Sequence, residues 1–105
     1  MTDLKQLMEM GQQLQAKMAK LQDELQNQTV SATSGGGMVT ATADGKGDLK
    51  SIKLDPACVD ARDVELLEDL ILAAVSQVQQ KARELQEAET RKAAGGMPFQ
   101  LPGMF

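Results

Sequence analysis

The sequence has no histidine, and it has a single cysteine, Cys58. One cysteine cannot form a disulfide within its own chain, and the absence of histidine removes the commonest metal ligand and the commonest general base of enzymes. Cys58 has no base near it that would activate the thiol, so we expect a small buried or half-buried side chain. These absences argue against an enzyme, and we predict no metal, no cofactor and no small-molecule substrate.

Long apolar runs and aromatic residues are also scarce in these 105 residues. The longest apolar stretch, residues 70–75, is far too short to cross a bilayer, and the N-terminus lacks the basic and apolar segments of a secretory signal. The only aromatic side chains are Phe99 and Phe105, so aliphatic side chains must form the interior. We therefore predict a cytoplasmic protein that has no membrane partner and gains buried surface by forming a homo-oligomer.

Positive charge does not dominate either. The chain has 11 basic and 15 acidic residues and a net charge of −4, so no global field attracts nucleic acid. Residues 81–92 carry four basic and three acidic side chains, whereas residues 60–69 carry one basic and five acidic ones. Composition alone therefore describes a solvated surface, and no aromatic residues are interleaved for base stacking.

The sequence does contain a seven-residue repeat near its N-terminus. Residues at alternating spacings of three and four predict a helix with a narrow apolar stripe, beginning after Thr2 or Asp3 and ending near Asn27. The stripe consists of Leu4, Leu7, Gly11, Leu14, Met18, Leu21 and Leu25. A stripe this narrow needs a long partner helix. Gly11 has two open interpretations, a close helix crossing or simple tolerance of glycine.

Alternation with period two follows the first helix and predicts three strands, at residues 29–33, 38–43 and 48–54. The first connection contains three glycines, and the second contains Asp44 and Gly45, a strong hairpin signal. The triple glycine matches neither phosphate-loop nor dinucleotide patterns, and strands flank it on both sides. We therefore interpret it as a hairpin turn.

A second long helix is predicted from a cap at Asp60 to about Lys92. Its apolar face is wide up to Val78 and narrower afterwards, which indicates a core-forming half followed by a projecting half. Acidic residues crowd its start, where they complement the helix dipole better than they would hold a cation. They are Asp60, Asp63, Glu65, Glu68 and Asp69.

Together these elements predict an α+β fold in the order α-β-β-β-α, with a three-stranded antiparallel sheet and two long helices that project from it as arms. We expect Val78, Ala82 and Leu85 to meet Leu14, Gly11 and Leu7 between the two helices. The surplus apolar side chains Leu66, Leu70 and Leu72 would form the dimer interface. Residues 1–94 form one domain in this prediction, and residues 95–105 form a flexible tail.

Three blocks of sequence together resemble the YbaB/EbfC family of bacterial nucleoid-associated proteins. They are residues 7–25, the strand region from residue 35 to Pro56, and residues 67–74. The resemblance implies an α-β-β-β-α protomer, a homodimer shaped like tweezers, and binding of duplex DNA by the helical arms with little sequence specificity. It also implies a cytoplasmic, nucleoid location and roles in DNA compaction or gene regulation.

The chain is less basic than that resemblance would suggest. Glu9 and Gln13 occupy positions that are often lysine in the family, Gln80 and Lys81 replace a pair that is often basic, and Ser76 lies where asparagine is common. We therefore expect weak, strongly salt-dependent binding, or reliance on another partner.

The DNA-binding hypothesis assigns phosphate contacts to seven basic side chains on the helices. They are Lys5, Lys17, Lys20, Lys81, Arg83, Arg91 and Lys92. The alternative is a protein-interaction adaptor that uses the helical stripe or the tail rich in methionine and phenylalanine.

Overall fold

The computed structural model describes residues 3–95. The elements are α1 (Leu4–Gln26), β1 (Thr29–Ser34), β2 (Val39–Asp44), β3 (Leu49–Leu54) and α2 (Val64–Gly95). The strands form an antiparallel sheet in the order β1-β2-β3. This confirms the predicted α+β fold and element order. The predicted tail lies outside the described residues, apart from Gly95, which ends α2.

The first helix begins and ends where the heptad pattern predicts. Asp3 is the N-cap, and its carboxylate accepts a hydrogen bond from the Lys5 N–H at 3.0 Å. Asn27 is the C-cap. With 23 residues, α1 is about 34 Å long.

The triple glycine forms the hairpin turn between β1 and β2, as predicted. Gly35, Gly36 and Gly37 all have positive φ angles, of 61, 68 and 96°. Residues that have a Cβ rarely adopt positive φ angles, so this turn requires glycine. A Cβ at Gly35 would also come within 2.9 Å of the Leu70 side chain.

The turn between β2 and β3 is organised by the buried carboxylate of Asp44, which is 2% exposed. Its Oδ1 accepts hydrogen bonds from the Lys46 N–H at 2.9 Å and the Asp48 N–H at 3.1 Å, and its Oδ2 lies 3.6 Å from Lys50 Nζ. Burial raises the pKa of Asp44, but these hydrogen bonds and the Lys50 charge lower it more, so the pKa lies below its ordinary value.

Replacing Asp44 with asparagine removes this charge and should make stability less sensitive to acid. A depressed folded-state pKa contributes stability above the unfolded pKa of about 3.9, and that contribution disappears as pH falls through the folded pKa. We therefore expect the urea midpoint of D44N to lie below that of the wild type at neutral pH. The gap should narrow below about pH 4, and a gap that stays constant under acid would contradict this role.

The predicted cap of α2 at Asp60 is wrong by three residues. Asp63 caps the helix, since its Oδ1 accepts a hydrogen bond from the Leu66 N–H at 3.2 Å. Asp60 instead accepts from the Arg62 N–H at 2.9 Å, and its carbonyl accepts from the Asp63 N–H at 2.9 Å. These bonds close a separate turn, which delays the start of the helix.

The core lies where α2 crosses one face of the sheet. Small side chains dominate it, and they allow the helix and strands to approach closely. The buried residues of this core are Ala32, Val39, Ala41, Ala43, Cys58, Ala74 and Val78. The Ser34 hydroxyl donates to the Leu70 carbonyl at 2.6 Å, which ties the end of β1 to the helix. Cys58 is buried, as predicted.

The predicted register between the two helices is wrong. Val78 and Ala82 are buried near the sheet and its turns, because α2 crosses the sheet before it reaches α1. Only the last turns of α2 lie beside α1, where Ala93 shares a groove with Lys17 and Leu21. A Cβ at Gly11 would meet nothing within 4 Å in the described chain, so no close helix crossing occurs there.

The observed helical arm therefore consists of α1 and the last turns of α2, residues 83–95. It makes the molecule elongated, with extents of 73 × 24 × 16 Å. The half of α1 nearer the sheet is packed against the rest of the chain, since Leu21 and Leu25 are 4% and 1% exposed. Its outer half is α1 alone, among the described residues.

Candidate nucleic-acid interface

A shallow groove of about 310 Å³ runs between α1 and the last turns of α2. Antiparallel packing brings basic residues from the two ends of the sequence together there. The lining residues are Lys17, Lys20, Leu21, Glu24, Glu89, Lys92 and Ala93. Three of the seven predicted DNA-binding residues thus share one site.

Two of the lysines in this groove, Lys20 and Lys92, form weak local ion pairs. Lys20 Nζ lies 4.0 Å from Glu24, and Lys92 Nζ lies 3.5 Å from Glu89. The two lysine side chains are 79% and 76% exposed. Exposed pairs of this kind contribute at most about 1 kcal/mol, so little energy opposes turning either ammonium group toward a phosphate.

Lys5 lies apart from the groove, on the first turn of α1. It lines a separate hollow with Asp3, Leu4, Met8, Glu9 and Gln12. Twelve residues of helix separate it from Lys17, a distance of about 18 Å. Lys5 is therefore a potential outer contact, with two acidic residues close to it.

The remaining predicted residues lie at different places on α2. Lys81 Nζ donates to the Ser31 carbonyl of β1 at 2.8 Å, so this lysine lies over the sheet and not on the projecting part of the helix. The Arg83 guanidinium donates to the Gln80 side chain at 2.7 Å. Arg91 is exposed on the last turns.

Lys53 is a further basic residue, to which the sequence interpretation assigned no role, and it lies away from the groove. Lys53 pairs with Thr40 across β2 and β3, on the face of the sheet opposite α2. The same face carries Ser31 and Thr42, whose hydroxyls lie 3.2 Å apart. Period-two alternation would have assigned this polar face, because Thr40 and Thr42 alternate with buried Val39, Ala41 and Ala43 along β2.

The predicted dimer residues lie in the first third of α2. Leu66 and Leu72 are 49% and 65% exposed, whereas Leu70 is half-buried against Gly35. On β3, Ile52 and Leu54 pair with buried residues of β2 and so face the α2 side of the sheet, yet they stay 41% and 40% exposed. Apolar surface thus remains open on both the helix and the edge strand.

Residues 3–95 contain no group of three or more cysteine, aspartate or glutamate side chains placed to hold a metal ion. Over the same residues, neither helix has the length and apolar character needed to span a membrane.

Comparisons with known proteins agree with this architecture. The model of the YbaB/EbfC DNA-binding family matches residues 1–97. A nucleoid-associated protein of Caldanaerobacter subterraneus is 46% identical over 98% of this chain and 91% of its own length. A nucleoid-associated protein of Rhizobium meliloti is 44% identical over 99% of this chain and 96% of its own length.

A solved structure has the same fold. The crystal structure of an uncharacterized protein from Helicobacter pylori superposes with a TM-score of 0.79, over 88% of this chain and 97% of that one. Its sequence identity is 20%, so this likeness concerns the fold alone.

Proposed function

Because the chain belongs to the YbaB/EbfC DNA-binding family, we propose that it is a non-enzymatic nucleoid-associated protein that binds duplex DNA with little sequence specificity. The observation that carries this proposal is the groove in which Lys17, Lys20 and Lys92 converge from two helices. The three lysines share that groove with only two acidic residues, although the whole chain is acidic.

Low specificity is supported by the chemistry of these side chains. A lysine ammonium is a point charge that attracts phosphate oxygens, and phosphate contacts position a protein without identifying bases. The described residues contain no aromatic side chain for stacking on bases, because the two phenylalanines of the sequence lie beyond residue 95. Such contacts favour binding to many sequences.

Other basic residues extend the proposed contact surface beyond the groove. Lys5 would reach phosphates at the outer end of the arm, and Arg83 and Arg91 would reach them along α2. Lys81 would first have to release the Ser31 carbonyl. We therefore assign the main contacts to the groove and weaker ones to these four residues.

We also propose that two chains associate through the first third of α2, using Leu66, Leu70 and Leu72. The exposed side chains Ile52 and Leu54 of β3 would add to this surface. Two arms would then hold one duplex and could alter DNA conformation or gene expression in the nucleoid. A sedimentation mass equal to one chain at micromolar concentration would remove this part of the proposal.

Fluorescence anisotropy with unrelated duplexes tests the proposed function. Binding should be similar for all of them and should weaken steeply as salt rises, because phosphate contacts release condensed counterions. Non-specific binding at physiological salt has Kd values of about 10⁻⁴ to 10⁻⁶ M. The absence of binding to any duplex at low salt and about 100 µM protein would therefore refute the proposal.

A further inference from the structure

Two lysines of the groove, Lys20 and Lys92, each lie beside a carboxylate that also lines the groove. Lys20 Nζ is 4.0 Å from Oε1 of Glu24, four residues further along α1. Lys92 Nζ is 3.5 Å from Oε1 of Glu89, three residues back along α2. The two glutamates thus occupy the ammonium groups to which the main DNA contacts are assigned.

Helix stability gives little reason for these pairs. A glutamate four residues after a lysine is the less favourable order for an ion pair along a helix, and this is the order of Lys20 and Glu24. Exposed ion pairs of either order add little to the stability of a fold. The consequence of the pairs therefore falls mainly on what the ammonium groups can bind.

The glutamates also lower the charge of the groove. Three lysines and two glutamates line it, so its net charge is +1 instead of the +3 of the lysines alone. A phosphate must displace one carboxylate from each paired ammonium group, and that carboxylate stays nearby because its helix holds it. Like charges this close repel each other even in water. Each effect is small for one pair, but the proposed dimer contains four pairs.

We propose that Glu24 and Glu89 are competitor residues, which lower the affinity of the groove for DNA by holding Lys20 and Lys92. This inference rests on the proposed function, since it concerns the ligand of the same groove. Phosphate and carboxylate exchange on the same two ammonium groups, so the groove binds duplex DNA weakly and releases it readily. Glu89 has the larger effect, because its ion pair is shorter and its side chain is 21% exposed, against 50% for Glu24.

Fluorescence anisotropy with the full chain and one duplex tests the proposal. Replacing both glutamates with glutamine should tighten binding by about tenfold at low salt, and Glu89→Gln alone should contribute more than Glu24→Gln alone. The gain should shrink as salt rises, since salt screens the competing charges. Glutamine has nearly the same helix propensity as glutamate, so thermal unfolding should remain close to that of the wild type.

Asp23→Asn combined with Glu87→Gln is the matched control. It removes the same charge from the same two helices, within two residues of the competitors. Asp23 and Glu87 are exposed, and neither lines the groove. The control should raise affinity much less, and each single substitution allows the same comparison on its own helix. Equal gains from the competitor and control variants would overturn the proposal, because net charge alone would then set the affinity.

Combining Glu24→Gln with Lys20→Gln separates competition from general repulsion. If Glu24 acts by holding Lys20, then Glu24→Gln should gain little affinity in a chain that already carries Lys20→Gln. An equal gain with and without Lys20 would overturn the proposal, since Glu24 would then only repel phosphates. Absence of binding by the wild type to any duplex would refute the proposed function and this inference with it, whereas equal gains in a chain that binds DNA would refute the inference alone.

Discussion

Replacing Lys20 and Lys92 with glutamine will weaken binding to duplex DNA by at least about tenfold at low salt. Both side chains line the groove between α1 and α2, and both are more than three-quarters exposed. Glutamine keeps most of the side-chain length and the helix propensity but removes the charge. Folding should therefore survive, and the loss should fall on phosphate contacts.

The salt dependence gives a sharper measurement of the same change. Each phosphate contact contributes about 0.9 to the slope of log K against log salt. In the proposed dimer the two substitutions remove four contacts, so the slope should become shallower by about 3 to 4. Anisotropy titrations at a series of salt concentrations would measure it.

Arg62→Gln provides a control with half the loss of charge. Arg62 precedes α2 and is paired with Asp60, and about 42 Å of helix lies between the start of α2 at Val64 and Lys92. Arg62→Gln removes one positive charge per chain, whereas the two lysine substitutions remove two. Twice the change in binding free energy caused by Arg62→Gln is therefore the value to compare with the change caused by the lysine substitutions. If that doubled effect equalled the effect of the lysine substitutions, affinity would follow net charge alone and the groove would have no special part in binding.

Replacing Gly45 with alanine will strongly destabilise the fold. An added Cβ would lie 2.5 Å from the carbonyl oxygen of Leu25 and 3.1 Å from its Cα. These are backbone atoms, so the end of α1 must move away from the hairpin. The move also weakens the hydrogen bond that the Gly45 N–H donates to the Leu25 carbonyl at 2.8 Å.

We expect a loss of about 3 kcal/mol, at the upper end for overpacking. For a domain of this size the midpoint of thermal unfolding should fall by roughly 15 °C. Gly11→Ala is the matched control, because its Cβ meets nothing in the described chain and alanine favours helix by about 1 kcal/mol. Equal midpoints for the wild type and G45A would show that α1 docks on the hairpin without this close approach.

Sequence periodicity was sufficient to predict the elements, because each pattern is local. The repeat of Leu4 to Leu25 can be buried only by a helix, and the alternation of alanine with threonine can be buried only by a strand. Turn glycines separated the strands. The prediction that Asp60 caps α2 was wrong because Asp60 and Asp63 are both suitable N-cap residues. Only tertiary packing decides at which of the two the helix begins.

The register of the two helices could not be predicted, because it depends on how far α2 travels over the sheet. Small side chains such as Ala74 let α2 lie flat on the strands through Ala82, and no local pattern encodes that distance. The composition of the lysine groove could not be predicted for the same reason, because it depends on the register of the two helices. Lys92 reaches Lys17 and Lys20 only in the observed register, whereas Lys81 remains over β1.

The second helix is a single unbroken rod from Val64 to Gly95, about 48 Å long. In the proposed dimer its first third meets the partner chain and its last turns carry Lys92. A tilt of only about 5° at the dimer contact would therefore displace the groove by roughly 4 Å. Small adjustments at the proposed dimer contact would thus be amplified into a change in the gap between the two arms, which would let one dimer adapt to duplexes of different width or curvature.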